Sequence, residues 1–108
     1  MKALLEYALA LDGQDAQAIA DLFADPCYFS DGALRRTGAP DMEARTPGEV
    51  ARVFTGIFNQ YDASVTIKQM LPHAMTYTVT LSGEDYPCVG CATLDPMGLI
   101  EEYIIRPL

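Results

Sequence analysis

The 108-residue sequence contains no tryptophan and one histidine, His73. A single imidazole poorly supplies a zinc site, and no second histidine or clearly placed partner supports a Ser/His/Asp or Cys/His triad. His73 follows Pro72 in a predicted turn between two strands, where an exposed side chain is the better interpretation because loop tips are usually solvated. The sequence therefore predicts neither a metal ion nor a catalytic triad.

Cysteine is also scarce, and the three cysteines cannot all pair within one chain. Cys88 and Cys91 have the CxxC spacing of redox and metal sites. The surrounding pattern predicts a strand, in which residues three apart point to opposite faces. Buried free thiols are therefore the favoured interpretation for all three, including Cys27. Glycine-rich phosphate-binding spacings are absent, and no cofactor is predicted.

Positive charge is in short supply. Seven Lys and Arg oppose 15 Asp and Glu, which gives a net charge of −8. Nucleic acids and anionic membranes require a positive footprint, so neither is predicted as a partner. Arg35, Arg36 and Arg45 concentrate in the predicted loop 32–45, where they would attract an anionic ligand or balance the surface charge. Surface balance is the favoured interpretation, because exposed arginines are ordinary.

Long apolar runs are missing, since none approaches the ~18 residues of a membrane-spanning helix. The N-terminal stretch carries Lys2 and several leucines, but Glu6 interrupts it and no small-residue cleavage site precedes the next helix. We therefore expect a cytoplasmic protein. The length predicts one domain, residues 1–108, with one modest core.

What the sequence does contain is a pair of helices, a third helix and a series of strands. Apolar spacing predicts helices over about 2–12, 16–24 and 47–61, the second ended by Pro26 and the third capped by Thr46. Such an order indicates an α+β fold, in which a curved antiparallel sheet wraps around the helices as a cone with an apolar pocket inside. Alternation of apolar and polar residues predicts strands over 27–31, 64–71, 75–81, 88–94 and 99–106, with a short additional strand at 34–36.

Two polar residues lie at the ends of a stretch that runs from the first predicted helix, through the second, to the first strand. Tyr7 lies in the first helix, and Asp31 shares a strand face with Cys27 and Phe29. A carboxylate in an apolar wall has a raised pKa and is a better base, while a nearby phenol can stabilise an oxyanion. Two simpler interpretations remain open: Asp31 starts an Asp-Gly turn, and Tyr7 is a core residue.

A resemblance to a known family is carried by three segments, ALDGQDAQAIADLFADPCYFSDG, TPGEVARVF and LDPMGLIEEY. The first is similar to a pattern of helix, A-G-D, helix, L-F-A-D-D and strand that recurs in the nuclear transport factor 2-like superfamily. This superfamily includes SnoaL-like polyketide cyclases and ketosteroid isomerases. The resemblance covers nearly the whole chain and implies a small apolar or aromatic ligand. It also suggests a homodimer, for which the sheet face with Thr76, Thr78 and Thr80 is available.

The ketosteroid isomerases give this resemblance its chemical content. Tyr7 falls on their oxyanion-donating tyrosine, and Asp31 falls on their general base. Their second, protonated aspartic acid falls at Gly90 or Ala92, neither of which can donate a proton, and Phe54 stands where another tyrosine is common. The resemblance therefore implies an oxyanion hole that is at most half present, which argues against a steroid isomerase.

Two functions follow from these residues. The first is a proton-transfer enzyme of the isomerase or cyclase type, with Asp31 as base and Tyr7 as hydrogen-bond donor. The second is a non-catalytic ligand-binding or dimerisation module of the same fold. In both, aromatic side chains are expected to form the ligand-binding wall, namely Phe23, Phe29, Phe54, Phe58, Tyr77 and Tyr103.

Overall fold

The computed structural model describes the chain from Met1 to Leu108. Three helices and a curved six-stranded sheet form an α+β fold, as predicted. No helix combines the length and the apolar character needed to cross a bilayer. The elements are α1 (Lys2–Asp12), α2 (Ala16–Ala20), β1 (Phe23–Asp31), a 3-10 turn (Arg35–Thr37), β2 (Met42–Ala44), α3 (Pro47–Gln60), β3 (Ala63–Met70), β4 (Ala74–Leu81), β5 (Glu84–Leu94) and β6 (Ile100–Pro107).

The sheet has the strand order β2-β1-β6-β5-β4-β3. Strands β3 to β6 form consecutive antiparallel hairpins, as the alternating pattern predicts. The prediction of a wholly antiparallel sheet was wrong at one place, because β1 runs parallel to β6, with Asp31 opposite Ile105. Most of the chain separates these two strands, so no tight turn fixes their relative direction.

Local sequence signals set the starts of α2 and α3. Asp15 caps α2, its Oδ1 accepting a hydrogen bond from the Ala18 amide at 3.0 Å. Thr46 caps α3 through the Glu49 amide at 3.2 Å, with Pro47 at the first helical position. The two caps fix where the helices enter the core, and α3 then packs against β1 and β2.

The boundary between α2 and β1 differs from the prediction. Helix α2 ends at Ala20 rather than Ala24, and Pro26 lies inside a strand that already begins at Phe23. The physical reason is tertiary: Phe23 pairs with Ile100 of β6 and packs edge-to-face on Phe29. That burial outweighs the helical spacing that α2 shares with the following residues.

Two further predictions were wrong about strand position. The segment 34–36 forms part of the 3-10 turn, and the short edge strand lies instead at β2. Strand β5 begins at Glu84 rather than Cys88, because Ser82 and Gly83 alone make the hairpin turn, both with positive φ. A two-residue turn with this geometry lets the flanking strands pair up to its ends.

The helices cover the inner face of the sheet, and the space between is filled by apolar side chains. Its centre is aromatic: Phe29 contacts Phe54 with ring centroids 5.6 Å apart, and Tyr7 contacts Tyr103 at 4.8 Å. Both pairs have the edge-to-face geometry that aromatic quadrupoles favour. The core thus lies where the sequence predicts a ligand pocket.

Side chains from the turn between α1 and α2 bind the outer edge of β3. The Asp12 carboxylate accepts a hydrogen bond from the Val65 amide at 2.9 Å, and the Gln14 side-chain oxygen accepts one from the Ala63 amide at 2.8 Å. Two N–H groups that an edge strand would leave exposed are thereby satisfied. These bonds attach the helical layer to the far end of the sheet.

Candidate functional site

The inner face of the sheet carries two separate groups of polar side chains. The tyrosine cluster consists of Tyr7, Tyr77 and Tyr103, deep in the core. The Asp31 cavity has a wall that is apolar apart from Asp31 and Tyr86. Its lining residues are Leu11, Asp31, Ala33, Leu34, Met42, Phe54, Ile57, Val79, Leu81 and Tyr86.

The tyrosine cluster is closed. Each ring is at most 1% exposed, and the Tyr77 and Tyr103 hydroxyl oxygens are hydrogen-bonded at 3.0 Å. Burial raises the pKa of all three phenols well above their usual value, while the Tyr77 hydroxyl offsets part of the rise in pKa for Tyr7. The cluster therefore stays protonated at physiological pH and can only exchange hydrogen bonds.

Gly90 makes room for this cluster. A Cβ built on Gly90 would overlap the Tyr103 hydroxyl oxygen and lie 2.6 Å from two carbons of the same ring. Gly90 is one of the two positions that the resemblance assigns to a second acid. In this chain the space above it holds a phenol that belongs to the next strand of the sheet.

Asp31 ends β1 with 8% of its surface exposed. Its Oδ1 accepts a hydrogen bond from the Ala33 amide at 2.9 Å, so Asp31 both lines the cavity and stabilises the turn that follows β1. Burial raises the pKa of the Asp31 carboxyl to about 6; the Asp41 charge adds to the rise, and the Ala33 amide and Arg106 oppose it. A carboxyl with such a pKa exchanges its proton close to neutral pH.

The cavity is small. Its volume is about 20 Å³, room for about one water molecule, whereas ligand pockets usually exceed ~300 Å³. The apolar pocket predicted inside the cone is thus largely filled by the core aromatic residues. Of the six side chains predicted to bind a ligand, Phe54 alone lines the cavity; Phe23, Phe29, Tyr77 and Tyr103 are in the core, and Phe58 packs on Phe54.

A loop closes the cavity, and we call residues 32–42 the lid. Leu34 and Met42 of the lid form part of the cavity wall. The Arg35 guanidinium donates two hydrogen bonds to the Asp41 carboxylate, at 2.8 and 2.7 Å, which joins the two ends of the lid. Arg36 donates to the backbone carbonyl of Asp85 on β5 at 3.4 Å. The lid thus runs from the end of β1 to the start of β2 and contacts the start of β5.

The arginine concentration is explained by contacts within the chain. Arg35 and Arg36 hold the lid, and the Arg45 guanidinium lies 4.9 Å from the ring centroid of Tyr28. These contacts support the prediction that the three arginines serve the chain's own surface rather than an anionic ligand.

Tyr7 and Asp31 do not meet in this structure. Tyr7 belongs to the tyrosine cluster, has no hydrogen bond to Asp31 and does not line the cavity. The Asp31 charge nevertheless contributes to the raised pKa of Tyr7, so the two groups interact electrostatically through the core. The pairing of base and donor inferred from the sequence would require a ligand that extends from the cavity toward the cluster.

Tyr86 is a cavity residue that sequence reasoning missed. It lies between the strands predicted over 75–81 and 88–94, but in the structure it belongs to β5, opposite Val79, and lines the cavity. The signal was available in the alternation of Tyr86, Cys88, Gly90 and Ala92, which places one face of β5 inward from its beginning. Extending that pattern backward from Cys88 would have placed Tyr86 inside.

The remaining candidates have structural roles. All three cysteines are free, and Cys88 and Cys91 lie on opposite faces of β5 as predicted. The prediction of a buried thiol was wrong for Cys91, because its side of the strand faces solvent. Burial raises the pKa of the Cys88 thiol to about 12, which makes it unreactive. His73 is exposed at its turn. No group of three His, Cys, Asp or Glu side chains is placed to hold a metal ion.

Comparison with known proteins gives a match in structure only. No family model and no curated protein sequence matches the chain. A candidate ketosteroid isomerase from Kribbella flavida superimposes with a TM-score of 0.78 at 17% identity, over 99% of this chain and 76% of its own. A candidate polyketide cyclase from Sinorhizobium meliloti gives a TM-score of 0.78 at 14% identity, over 98% and 94% of the two chains.

A computationally designed 17-OHP binder is also similar, with a TM-score of 0.74 at 14% identity, over 99% of this chain and 87% of its own. Identities this low demonstrate a shared fold and leave the activity open. The resemblance seen in the sequence is thus confirmed as a resemblance of structure: the chain has the fold of the nuclear transport factor 2-like proteins.

Proposed function

We propose that the protein binds a small apolar or aromatic molecule at the Asp31 cavity and that Asp31 acts there as a base, in an isomerase- or cyclase-like proton transfer. The observation that carries the proposal is a buried carboxyl, with its pKa raised to about 6, in a wall that is otherwise apolar apart from Tyr86. Such a group is ionised at neutral pH yet basic enough to remove a proton from carbon beside a carbonyl.

Ligand entry requires the lid to move. The closed cavity holds about one water, and the lid contributes Leu34 and Met42 to its wall. The Arg35–Asp41 pair that holds the lid lies at the protein surface, where water can replace its hydrogen bonds when the lid moves. A displaced lid would connect the cavity to solvent and would disturb the sheet only where Met42 of β2 pairs with Asp31.

Tyr7 keeps the role of hydrogen-bond donor in this proposal for a ligand long enough to reach the tyrosine cluster. Its phenol stays protonated because of burial, which is the state that an oxyanion requires. The six predicted aromatic residues would then form the deeper part of the ligand-binding wall after rearrangement of the core.

A second candidate function is a non-catalytic binding or dimerisation module. The closed tyrosine cluster and the small cavity favour it, since most of the interior is packed as a core rather than as a pocket. We further propose a cytoplasmic homodimer formed through the outer face of the sheet, where Thr76, Thr78 and Thr80 are half-buried. Light scattering tests the dimer.

Exchange of carbon-bound protons tests the catalytic proposal directly. The native protein is incubated with 2-tetralone in deuterated buffer at neutral pH, and loss of the α-proton signals is followed by NMR. Asp31 as a base predicts exchange faster than in buffer, and Asp31→Asn is expected to lose at least ~100-fold of that acceleration, as general bases contribute.

The matched control is Asp62→Asn, which removes a carboxylate from an exposed position and should exchange at the native rate. Binding of 2-tetralone without exchange would support the non-catalytic module. Equal exchange by native protein and Asp31→Asn would overturn Asp31 as the base.

A further inference from the structure

Asp31 and Tyr86 are the two residues of the cavity wall whose side chains carry an oxygen; the others are aliphatic, methionine or phenylalanine. In the tyrosine cluster, by contrast, the Tyr77 and Tyr103 hydroxyls bond to each other. Tyr86 is half-buried, and its hydroxyl has no hydrogen bond within the protein. Since no buried side-chain oxygen lacks a partner, this hydroxyl is accessible to solvent. The cavity therefore offers a ligand one carboxylate acceptor and one phenol whose proton is uncommitted.

The register of the sheet sets the distance between these two groups. Asp31 and Gly90 are both opposite Ile105, so Asp31 lies two strand spacings from β5, roughly 10 Å. Tyr86 precedes Gly90 by four residues along β5, roughly 13 Å. Both side chains point inward, and the Tyr86 ring spans much of the remaining gap. They can contact opposite ends of a ligand with one or two rings, but not a single atom.

The lid is attached beside Asp31 and also beside Tyr86. Asp31 directly precedes the lid, and Arg36 of the lid bonds to the carbonyl of Asp85, the residue before Tyr86. Release of the Arg36 contact together with the Arg35–Asp41 pair would therefore uncover the carboxylate and the phenol in one movement. The Asp31 carboxylate and the Tyr86 phenol would then lie at opposite ends of one opening.

We propose that Tyr86 is a ligand-binding residue that acts with Asp31, so that the site takes flat apolar molecules carrying an oxygen at each end. A hydroxyl or acidic C–H group lies at Asp31, and a hydroxyl or carbonyl oxygen accepts the Tyr86 proton at the other end. This inference rests on the proposed function and specifies its substrate class. Tyr86 then determines which ligands bind in the Asp31 cavity.

A pair of matched ligands tests the inference by calorimetry at pH 7.5. The first is 2-naphthol, and the second is 2,6-dihydroxynaphthalene, which adds one hydroxyl at the far end. The native protein should bind the diol roughly three- to tenfold more tightly, the effect of one hydrogen bond, beyond the twofold advantage of two equivalent hydroxyls.

Tyr86→Phe should reduce this preference to twofold or less, because the second hydroxyl is then buried without a partner. Tyr61→Phe is the matched control: it removes a hydroxyl from a half-buried tyrosine outside the cavity wall and should keep the full preference. Near-ultraviolet circular dichroism verifies that both variants keep the native packing.

The outcomes separate the inference from the proposed function. Weaker binding of both naphthols in Asp31→Asn, with an unchanged preference in Tyr86→Phe, overturns the role of Tyr86 and leaves Asp31 in place. Loss of the preference in Tyr61→Phe as well would show that the effect does not come from the cavity, and it would also overturn the inference. Failure of the native protein to bind either naphthol overturns it as well, while the ketone exchange separately decides the fate of Asp31 as a base.

Discussion

The tyrosine cluster and the Asp31 cavity lie on the same face of the same sheet, yet the same apolar surroundings affect them differently. Burial raises the pKa of the three phenols far from neutrality, so their protons are fixed. Burial raises the pKa of the Asp31 carboxyl to about 6, so its proton is exchangeable. For acidic side chains, which burial shifts upward, desolvation thus brings the pKa toward neutrality only where the intrinsic pKa lies a few units below it.

The two regions also differ in how completely they are packed. In the cluster, Tyr103 fills the space left by the absence of a side chain at Gly90, and the hydroxyls of Tyr77 and Tyr103 are hydrogen-bonded to each other. At the cavity, a lid held by surface contacts closes a space of about 20 Å³. The first region contributes stability, and the second has the properties of a site that opens.

The largest effect is expected where the cluster is most crowded. Gly90→Ala should destabilise the protein by about 3 kcal/mol, because the new methyl group overlaps the Tyr103 phenol and overpacking of a core costs up to this amount. Urea unfolding followed by circular dichroism measures the change. If the cluster can rearrange, so that it is a latent pocket, the loss will be below ~1 kcal/mol.

Gly56→Ala provides the matched control. Gly56 lies in α3 with no atom near its added Cβ. The same substitution there should stabilise the protein by roughly 0.5–1 kcal/mol, as alanine does in an exposed helix. Opposite signs for the two glycines would confirm that the cost at Gly90 comes from Tyr103.

A smaller effect of opposite sign is expected at the cavity. Asp31→Asn should raise the free energy of unfolding at pH 7.5 by about 2 kcal/mol, since asparagine accepts the Ala33 hydrogen bond without burying a charge. The upper bound is about 3 kcal/mol, from a pKa raised by roughly two units. Lower stability of Asp31→Asn at pH 7.5 would contradict the burial cost.

The gain in stability of Asp31→Asn over the native protein should depend on pH. Below about pH 4 Asp31 is protonated in the folded and the unfolded chain, and the two proteins should be equally stable. Between about pH 4 and pH 6 the folded chain binds a proton that the unfolded chain has released, so native stability falls as pH rises. The advantage of Asp31→Asn should therefore grow across this interval and level off above it.

The smallest effect on global stability is expected at the lid. Arg35→Gln removes the two hydrogen bonds to Asp41, which lie at an exposed position. Hydrogen exchange should become faster at the lid amides of Arg35 and Gly38, while amides in β4 and β5 keep their rates. Arg52→Gln, an exposed arginine on α3, is the control. Unchanged exchange at the lid would mean that the Arg35–Asp41 pair does not hold it closed.

Local signals predicted much of the fold. The third helix starts at Pro47 after Thr46 because cap and proline act within one turn, and the strands alternate because pleating requires it. The errors lie where distant contacts decide. Phe23 is extended because Ile100 pairs with it, and the edge strand lies at Met42–Ala44 because Phe29 and Asp31 offer partners there. Neither pairing can be derived from neighbouring residues.

For the site too, features set by neighbouring residues could be predicted, and features set by distant contacts could not. Burial of Asp31 followed from its place in an alternating strand, and its turn-forming bond followed from Asp-Gly chemistry. That Gly90 admits Tyr103 depends on two strands paired across the sheet, and the filling of the interior depends on that contact. Tyr86 was missed because the predicted strand begins only at Cys88. In the structure Ser82 and Gly83 alone form the turn, so the strand already includes Tyr86.

The bonds from Asp12 and Gln14 to the edge of β3 have a consequence for assembly. They occupy outward N–H groups that an incoming strand would need, and the opposite edge, β2, is three residues long. Neither edge presents an intact ladder, so the fold resists growth into a continuous intermolecular sheet of the kind that leads to fibrils. Copies of this chain that associate through the sheet must therefore stack face to face.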